Sequence, residues 1–201
     1  DRPLRPLFNK EMRSEVQVIM FSISADQENP LDILAVNAAS AALTISDVPW
    51  AGPVGAVRIG RINGQFIVNP TFAQLEESTL DLRIAGTRDA ILMVECGATE
   101  IPDDLMVEAL MFGHQSLQPF IDLQEQLQAM VGKPKREVPL FPIAPELLER
   151  VSQRAYKALN DILEQPADKQ NRNAPLDTVR TEVAAEIVAE DETVTSTITQ
   201  A

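Results

Sequence analysis

The spacing of apolar residues changes several times along this chain, and each change marks an element. Residues 15–24, Glu-Val-Gln-Val-Ile-Met-Phe-Ser-Ile-Ser, form a nearly continuous apolar run rich in β-branched side chains, which predicts a buried strand. Asn29-Pro30 has the form of an N-cap followed by a first helical residue. Residues 31–46 then carry Ala, Leu, Ile and Val on most faces, so the helix predicted there should be buried on several sides. Two prolines and a glycine make 47–53 a loop. Runs at 54–62 and 65–68 flank Asn63-Gly64, a pair suited to a two-residue hairpin because both turn positions need positive φ. Residues 71–78 are polar and predict a connecting stretch. Two more strands follow near 80–84 and 90–95, joined through Gly86.

From Pro102 the period becomes helical. Asp103 and Asp104 suit the positive end of a helix dipole. Leu105, Ala109, Leu110, Gly113, Leu117, Phe120, Ile121 and Leu127 then make one stripe. Pro119 is expected to kink this helix and Gly132 to end it. Four prolines in 133–145 read as a linker. A second helix is predicted over about 145–163, with Leu148, Val151, Ala155, Leu159 and Ile162 on its apolar face, and a short acidic helix near 176–190. The tail from residue 191 is rich in threonine and has no core signal. The chain therefore divides into an α+β part, 1–132, a linker, 133–145, and an all-α part, 146–201.

Composition narrows the function. A net charge of −13 argues against a polyanion-binding surface spread over the molecule, although it allows a local basic patch. One cysteine, Cys96, cannot form an internal disulfide, which suits a reducing compartment. No apolar run reaches the roughly 18 residues of a membrane span. The chain starts Asp-Arg-Pro, without methionine or a signal-peptide pattern, and reads as a fragment or processed chain.

Few residues carry obvious chemistry. There is no phosphate-binding glycine loop, metal-binding Cys/His cluster or nucleophile elbow. His114, the single histidine, sits in the long helix and reads as structural rather than catalytic. Cys96 follows an apolar strand and reads as a small core residue rather than a reactive thiol. Glu76 and Glu77 read as solvated loop carboxylates, because acid–base work needs a shaped pocket. The concentrated segment is Asp1-Arg-Pro-Leu-Arg-Pro-Leu-Phe8. Arg2 and Arg5, three apart, fall on one face of a helical turn, with Lys10 and Arg13 near. Two such forks could hold a phosphate, and two prolines stiffen their backbone. The competing reading is a surface turn with ordinary charges.

This segment resembles the arginine-bearing stretch in the first RNase PH-like half of polynucleotide phosphorylases. Ser24-Ala-Asp-Gln-Glu-Asn29, Ala35-Val-Asn-Ala-Ala-Ser-Ala-Ala-Leu-Thr-Ile-Ser46, Val68-Asn-Pro-Thr71 and Ala85-Gly-Thr-Arg-Asp89 are similar to the same half, as is the run 127–135 ending Val-Gly-Lys-Pro-Lys. The likeness covers about 1–136. The all-α stretch resembles, less specifically, the helical domain between that family's two RNase PH-like halves. The resemblance implies an α+β, RNase PH-like (ribosomal protein S5 domain 2-like) domain, N-terminally incomplete, followed by an all-α helical domain. It also implies a trimeric ring that threads single-stranded RNA, KH and S1 modules elsewhere, and reversible phosphorolysis with a divalent metal such as Mg²⁺. Homotrimer partners, RNA, inorganic phosphate and other RNA-degradation proteins follow from it. So does a bacterial cytoplasmic location, with an organelle as the alternative.

Two departures from the family bear on function. Asn9-Lys-Glu-Met12 replaces the usual proline–glycine turn. The active copy in the family carries two aspartates six residues apart and then a lysine. Aligned on Ala85-Gly86-Thr87, those positions are Leu75, Asp81 and Arg83 here. The resemblance therefore implies a degenerate remnant that holds no metal, with Asp81 and Arg83 persisting as a strand-surface ion pair. RNA or phosphate contact falls to Arg2 and Arg5, and no catalytic residue is expected in this portion. The rival readings are a non-catalytic assembly subunit of an exosome-like ring and, against the helical extension, ribonuclease PH.

Overall fold

The computed structural model describes residues 1–165, 169–191 and 194. The chain divides into two compact units, Asp1–Pro139 and Leu140–Ala201. The first is built on a four-stranded antiparallel sheet of order β2-β1-β3-β4. Its strands are β1 Gly55–Ile62, β2 Gln65–Val68, β3 Leu80–Gly86 and β4 Ile91–Ala98. Asn63 and Gly64 both have positive φ, 50° and 80°, and close the β1–β2 hairpin as the sequence predicts.

Strand alternation sends side chains to two cores. On one face Ala56 and Ala85 pack with Leu4, Trp50 and helix α1, Leu31–Ile45, through Ile33, Ala39 and Leu43. On the other, Val57, Ile59, Leu80, Leu82 and Ile84 meet helix α3, Asp103–Val131, through Ala109, Leu117 and Ile121. The sheet is thus covered on both faces. A buried polar ring joins α1 and α3 at the start of β1. Ser40 Oγ donates to Gln124 Oε1 at 2.5 Å, the Val54 amide donates to Ser40 Oγ at 2.8 Å, and Gln124 Nε2 donates to the Val54 carbonyl at 2.9 Å. Every member has a partner, so the ring fixes the helix registers without an unmet donor.

Several expectations need correction. Residues 15–24 are not a buried strand: they run without regular secondary structure and are exposed, Phe21 at 81% and Ile23 at 96%. A strand needs a neighbour to take its amides and carbonyls, and none of the described strands pairs with this stretch. Pro30 is the N-cap of α1, not its first helical residue. Leu31 and Leu34 are exposed, so α1 is less enclosed than its composition suggested. The polar stretch 71–78 contains a helix, α2 Phe72–Glu77, started by a reciprocal capping box between Thr71 and Gln74. Helix α3 continues past Pro119, and Gly132 caps its end as expected.

Residues 133–136 hold to the first unit. Lys135 Nζ donates to the carbonyls of Leu43, Thr44 and Ser46 at 2.8, 3.1 and 2.9 Å, satisfying the free C-terminal end of α1. Burial lowers the Lys135 pKa from its usual value. Arg136 pairs with Asp47 at 2.7 Å.

The second unit contains α4, Pro145–Glu164, and α5, Lys169–Glu190. Leu147 and Ile187 form its small core, with Val151 against them. Leu148 is half-exposed and Leu147 takes its place, while Ala155 is buried and Val151 packs on the core as expected. Arg150 and Arg154 both pair with Glu190. Helix α5 starts well before the expected 176. Of the tail, 192–193 and 195–201 lie outside the described residues.

Candidate nucleic-acid interface

The arginine segment folds as a tight double turn. The amides of Leu4 and Arg5 both donate to the Asp1 carbonyl at 3.0 and 2.9 Å, and a 3-10 turn follows over Arg5–Leu7. Pro3 and Leu4 are buried, which anchors the turn and leaves Arg2 and Arg5 outside. Each guanidinium rests on a carboxylate. Arg2 Nη1 is 3.4 Å from Glu95 Oε2 on β4, and Arg5 makes a two-pronged pair with Asp1. Both pairs are exposed, and such pairs contribute about 0–1 kcal/mol, so a phosphate can displace either carboxylate at small cost. Lys10 and Arg13 are also exposed. The departure at 9–12 still makes a turn: Asn9 Oδ1 accepts from the Glu11 amide at 2.9 Å, and the Met12 amide donates to the Asn9 carbonyl at 3.1 Å.

The residues aligned with a reaction centre lie on α2 and β3. Leu75 is half-buried in α2 and offers no donor atom. Asp81 is gripped by Arg58, a residue the sequence reading missed. Arg58 Nε and Nη2 donate to the two Asp81 oxygens at 2.6 and 2.7 Å, and Arg83 Nη2 adds a contact at 3.3 Å. The expected Asp81–Arg83 pair is therefore the lesser half of a larger cluster. Arg58 is only 7% exposed.

Antiparallel register explains the cluster. Arg58 lies directly opposite Arg83, and Arg83 opposite Glu95. Two opposed guanidiniums repel, so the arrangement needs anions. Asp81 supplies one diagonally, Asp32 in the first turn of α1 lies 2.9 Å from Arg83 Nε and 3.6 Å from Arg58 Nη1, and Glu95 takes Arg83 Nη1 at 2.9 Å. The Arg58 hydrogen bonds hold the Asp81 carboxyl below the usual range against the opposing effect of burial, and the same bonds raise the Arg58 pKa. The signal was available: Arg58 interrupts the apolar start of β1, on the face that Asp81 shares once the strands pair.

This donor set does not fit a hard divalent cation. Both Asp81 oxygens already accept from a guanidinium, two arginines would repel the metal, and Leu75 contributes nothing. Among the described residues, no group of three or more His, Cys, Asp or Glu side chains could hold a metal ion.

The remaining candidates have plain surroundings. His114 Nε2 lies 3.0 Å from the Thr87 carbonyl and ties α3 to the β3–β4 loop. Cys96 is exposed, not core: it pairs with Leu82 on the α3 face, but β4 is an edge strand and α3 does not cover its far end. Partial desolvation raises its thiol pKa, which keeps it a poor nucleophile. Glu76 and Glu77 are exposed in α2 rather than on a loop. Among the described residues no helix is long and apolar enough to cross a membrane.

Residues 1–49 match "3′ exoribonuclease family, domain 1", and residues 52–116 match "3′ exoribonuclease family, domain 2". The chain is 47% identical over 182 residues to the polyribonucleotide nucleotidyltransferase of Heliobacterium modesticaldum, covering 90% of this chain and 26% of that protein. It is 48% identical over 188 residues to the protein of that name in Thermomicrobium roseum, covering 94% and 24%. For the Bacillus subtilis protein the figures are 45% over 191 residues, 95% and 27%. The chain thus spans about a quarter of the length of these relatives. A solved structure of rice Rrp46 overlaps it with a TM-score of 0.46 at 16% identity, over 50% of this chain and 49% of that one. The two domain matches together take in more than half of the residues, and the chain belongs to the 3′ exoribonuclease family.

Proposed function

We propose that this chain is part of a phosphorolytic 3′-to-5′ exoribonuclease that acts on single-stranded RNA, and that this portion provides RNA contact and ring assembly rather than chemistry. The observation that carries the reading is 47% identity over 90% of the chain to a polyribonucleotide nucleotidyltransferase. In the reaction, an oxygen of inorganic phosphate forms a bond to the phosphorus of the 3′-terminal nucleotide. The bond from that phosphorus to the neighbouring 3′ oxygen breaks, and a nucleoside diphosphate leaves.

Arg2 and Arg5 are assigned to the RNA backbone. Their guanidiniums are exposed and weakly held, and the buried Pro3-Leu4 pair fixes the turn that presents them. Leu75, Asp81 and Arg83 are assigned to a degenerate centre, supported by the Arg58 grip on Asp81. Magnesium belongs, in this reading, to residues of the full-length enzyme outside this chain. Exposed Ile19, Phe21 and Ile23 supply apolar surface for assembly as a homotrimer in the cytoplasm.

The test is a product assay on the full-length protein with single-stranded RNA and inorganic phosphate. Phosphate-dependent release of nucleoside diphosphates is the expected result. Release of monophosphates without phosphate would overturn the phosphorolytic reading, and RNA binding with no turnover would favour a non-catalytic assembly subunit. Arg5→Ala should weaken RNA binding and lower the salt slope by about 0.7, because one RNA phosphate is no longer neutralised. Unchanged affinity and slope would remove Arg5 from the interface.

A further inference from the structure

We infer that Trp50 is the positioning residue of the arginine turn, holding Arg2 and Arg5 in the geometry that meets RNA phosphates. The inference rests on the proposed role of those two arginines and adds the residue through which the fold controls them.

The turn is short and presents its arginines at the surface. Its 3-10 segment is three residues long, and neither arginine is buried. What fixes it is the loop after α1. The Trp50 indole Nε1–H donates to the Leu4 carbonyl at 3.0 Å, and the next amide, Ala51 N–H, donates to the Leu7 carbonyl at 3.0 Å. These two bonds grip the turn on either side of Arg5. The indole, 9% exposed, also packs against Phe8 with ring centroids 6.3 Å apart, and Leu4 lies in the same core as Trp50, Leu43, Val54 and Ala56. An indole fits this task because one edge is apolar enough for the core while its N–H reaches a backbone carbonyl.

Gly52 makes room for the ring. A Cβ at that position would lie 2.2 Å from Trp50 Cζ3, closer than any side chain tolerates, so residue 52 must lack one for the indole to lie where it does. Trp50 thus joins the sheet core to the arginine turn by packing and hydrogen bonding, and touches neither guanidinium.

The experiment measures RNA affinity as a function of salt for the full-length protein, with thermal stability recorded alongside. Trp50→Ala should flatten the slope of log affinity against log salt by about 0.7–1.4, as expected when one or two phosphates of single-stranded RNA are no longer neutralised. A residue with only a structural role would lower the melting temperature and leave that slope alone. Trp50→Phe keeps the ring against Phe8 but loses the indole N–H, and should recover only part of the slope. Adding Arg2→Ala and Arg5→Ala to Trp50→Ala should cost little more, because the three act as one unit. An unchanged slope in Trp50→Ala, with the double arginine variant still defective, would overturn the positioning role alone. An unchanged slope in the double arginine variant would overturn the reading on which it rests. If Trp50→Ala does not fold, Gly52→Ala, which displaces the ring without removing it, gives the same readout.

Discussion

Strand β1 and the stretch 15–24 are both apolar, both rich in β-branched residues and of similar length, yet they end in opposite environments. In β1, Val57 and Ile59 are fully buried between β2 and β3 and under α3. In 15–24, Ile19, Met20, Phe21 and Ile23 face solvent. Composition does not separate them; neighbours do. A strand is stable when other strands take its backbone groups and a helix covers its face, and β1 has both. Apolar patterning therefore states a demand for burial, and only the rest of the chain can meet it.

The comparison can be broken most severely at Arg58, the buried charge within β1. Asp81→Ala leaves that guanidinium buried without its main partner, and the expected loss is about 3–5 kcal/mol by urea or thermal unfolding. Replacing both, Arg58→Met with Asp81→Leu, should cost less than Asp81→Ala alone; an equal or larger loss would show that the pair itself is strongly stabilising. Acid sharpens the point. The Asp81 pKa is lowered on folding, so its contribution is fully present above the ordinary carboxyl value near 4 and is lost as pH falls through the lower folded value. The parent should thus converge towards Asp81→Asn in melting temperature below about pH 4, and a constant gap down to pH 2 would contradict the assignment.

The polar ring at the start of β1 comes next. Gln124→Leu removes the partner of both Ser40 and the Val54 carbonyl and should cost about 1–3 kcal/mol. Within the strand core, Ile59→Val should cost about 0.5–1.5 kcal/mol. At the exposed end of the scale, Phe21→Ser in the isolated chain should change stability by no more than about 0.5 kcal/mol. The same substitution in the full-length protein distinguishes two situations. A much larger loss there would mean that residues outside 1–201 cover the stretch, and an equally small one would leave it at the solvent.

Much of the fold was legible because its determinants are local. Asn63-Gly64 dictated its hairpin, and the long stripe of α3 dictated a helix. What escaped depends on tertiary register. Arg58 acquires meaning only when β1 and β3 pair so that Asp81 falls diagonally beside it. Cys96 has the alternation of a core residue, but its strand lies at the sheet edge. Leu147 rather than Leu148 is buried because Ile187 of α5 sets which side of α4 is covered. Helix α2 was readable from Thr71 and Gln74, a capping box, and was missed because no long apolar run follows it. In the candidate site, Arg2 and Arg5 stood out by spacing, whereas Trp50, which grips their turn, lies in a loop with no pattern to mark it.

Above all, this portion is proposed to bind RNA without reacting it. The most direct measurement is the phosphorolysis rate of Asp81→Asn in the full-length enzyme, under conditions where unfolding and RNA binding show the protein intact. The expected rate lies within a few-fold of the parent, because Asp81 is engaged by Arg58 and has no second carboxylate at position 75 with which to hold a metal. A loss on the order of a thousandfold, the scale of removing a major stabilising group from the transition state, would contradict that role and make this half of the molecule catalytic.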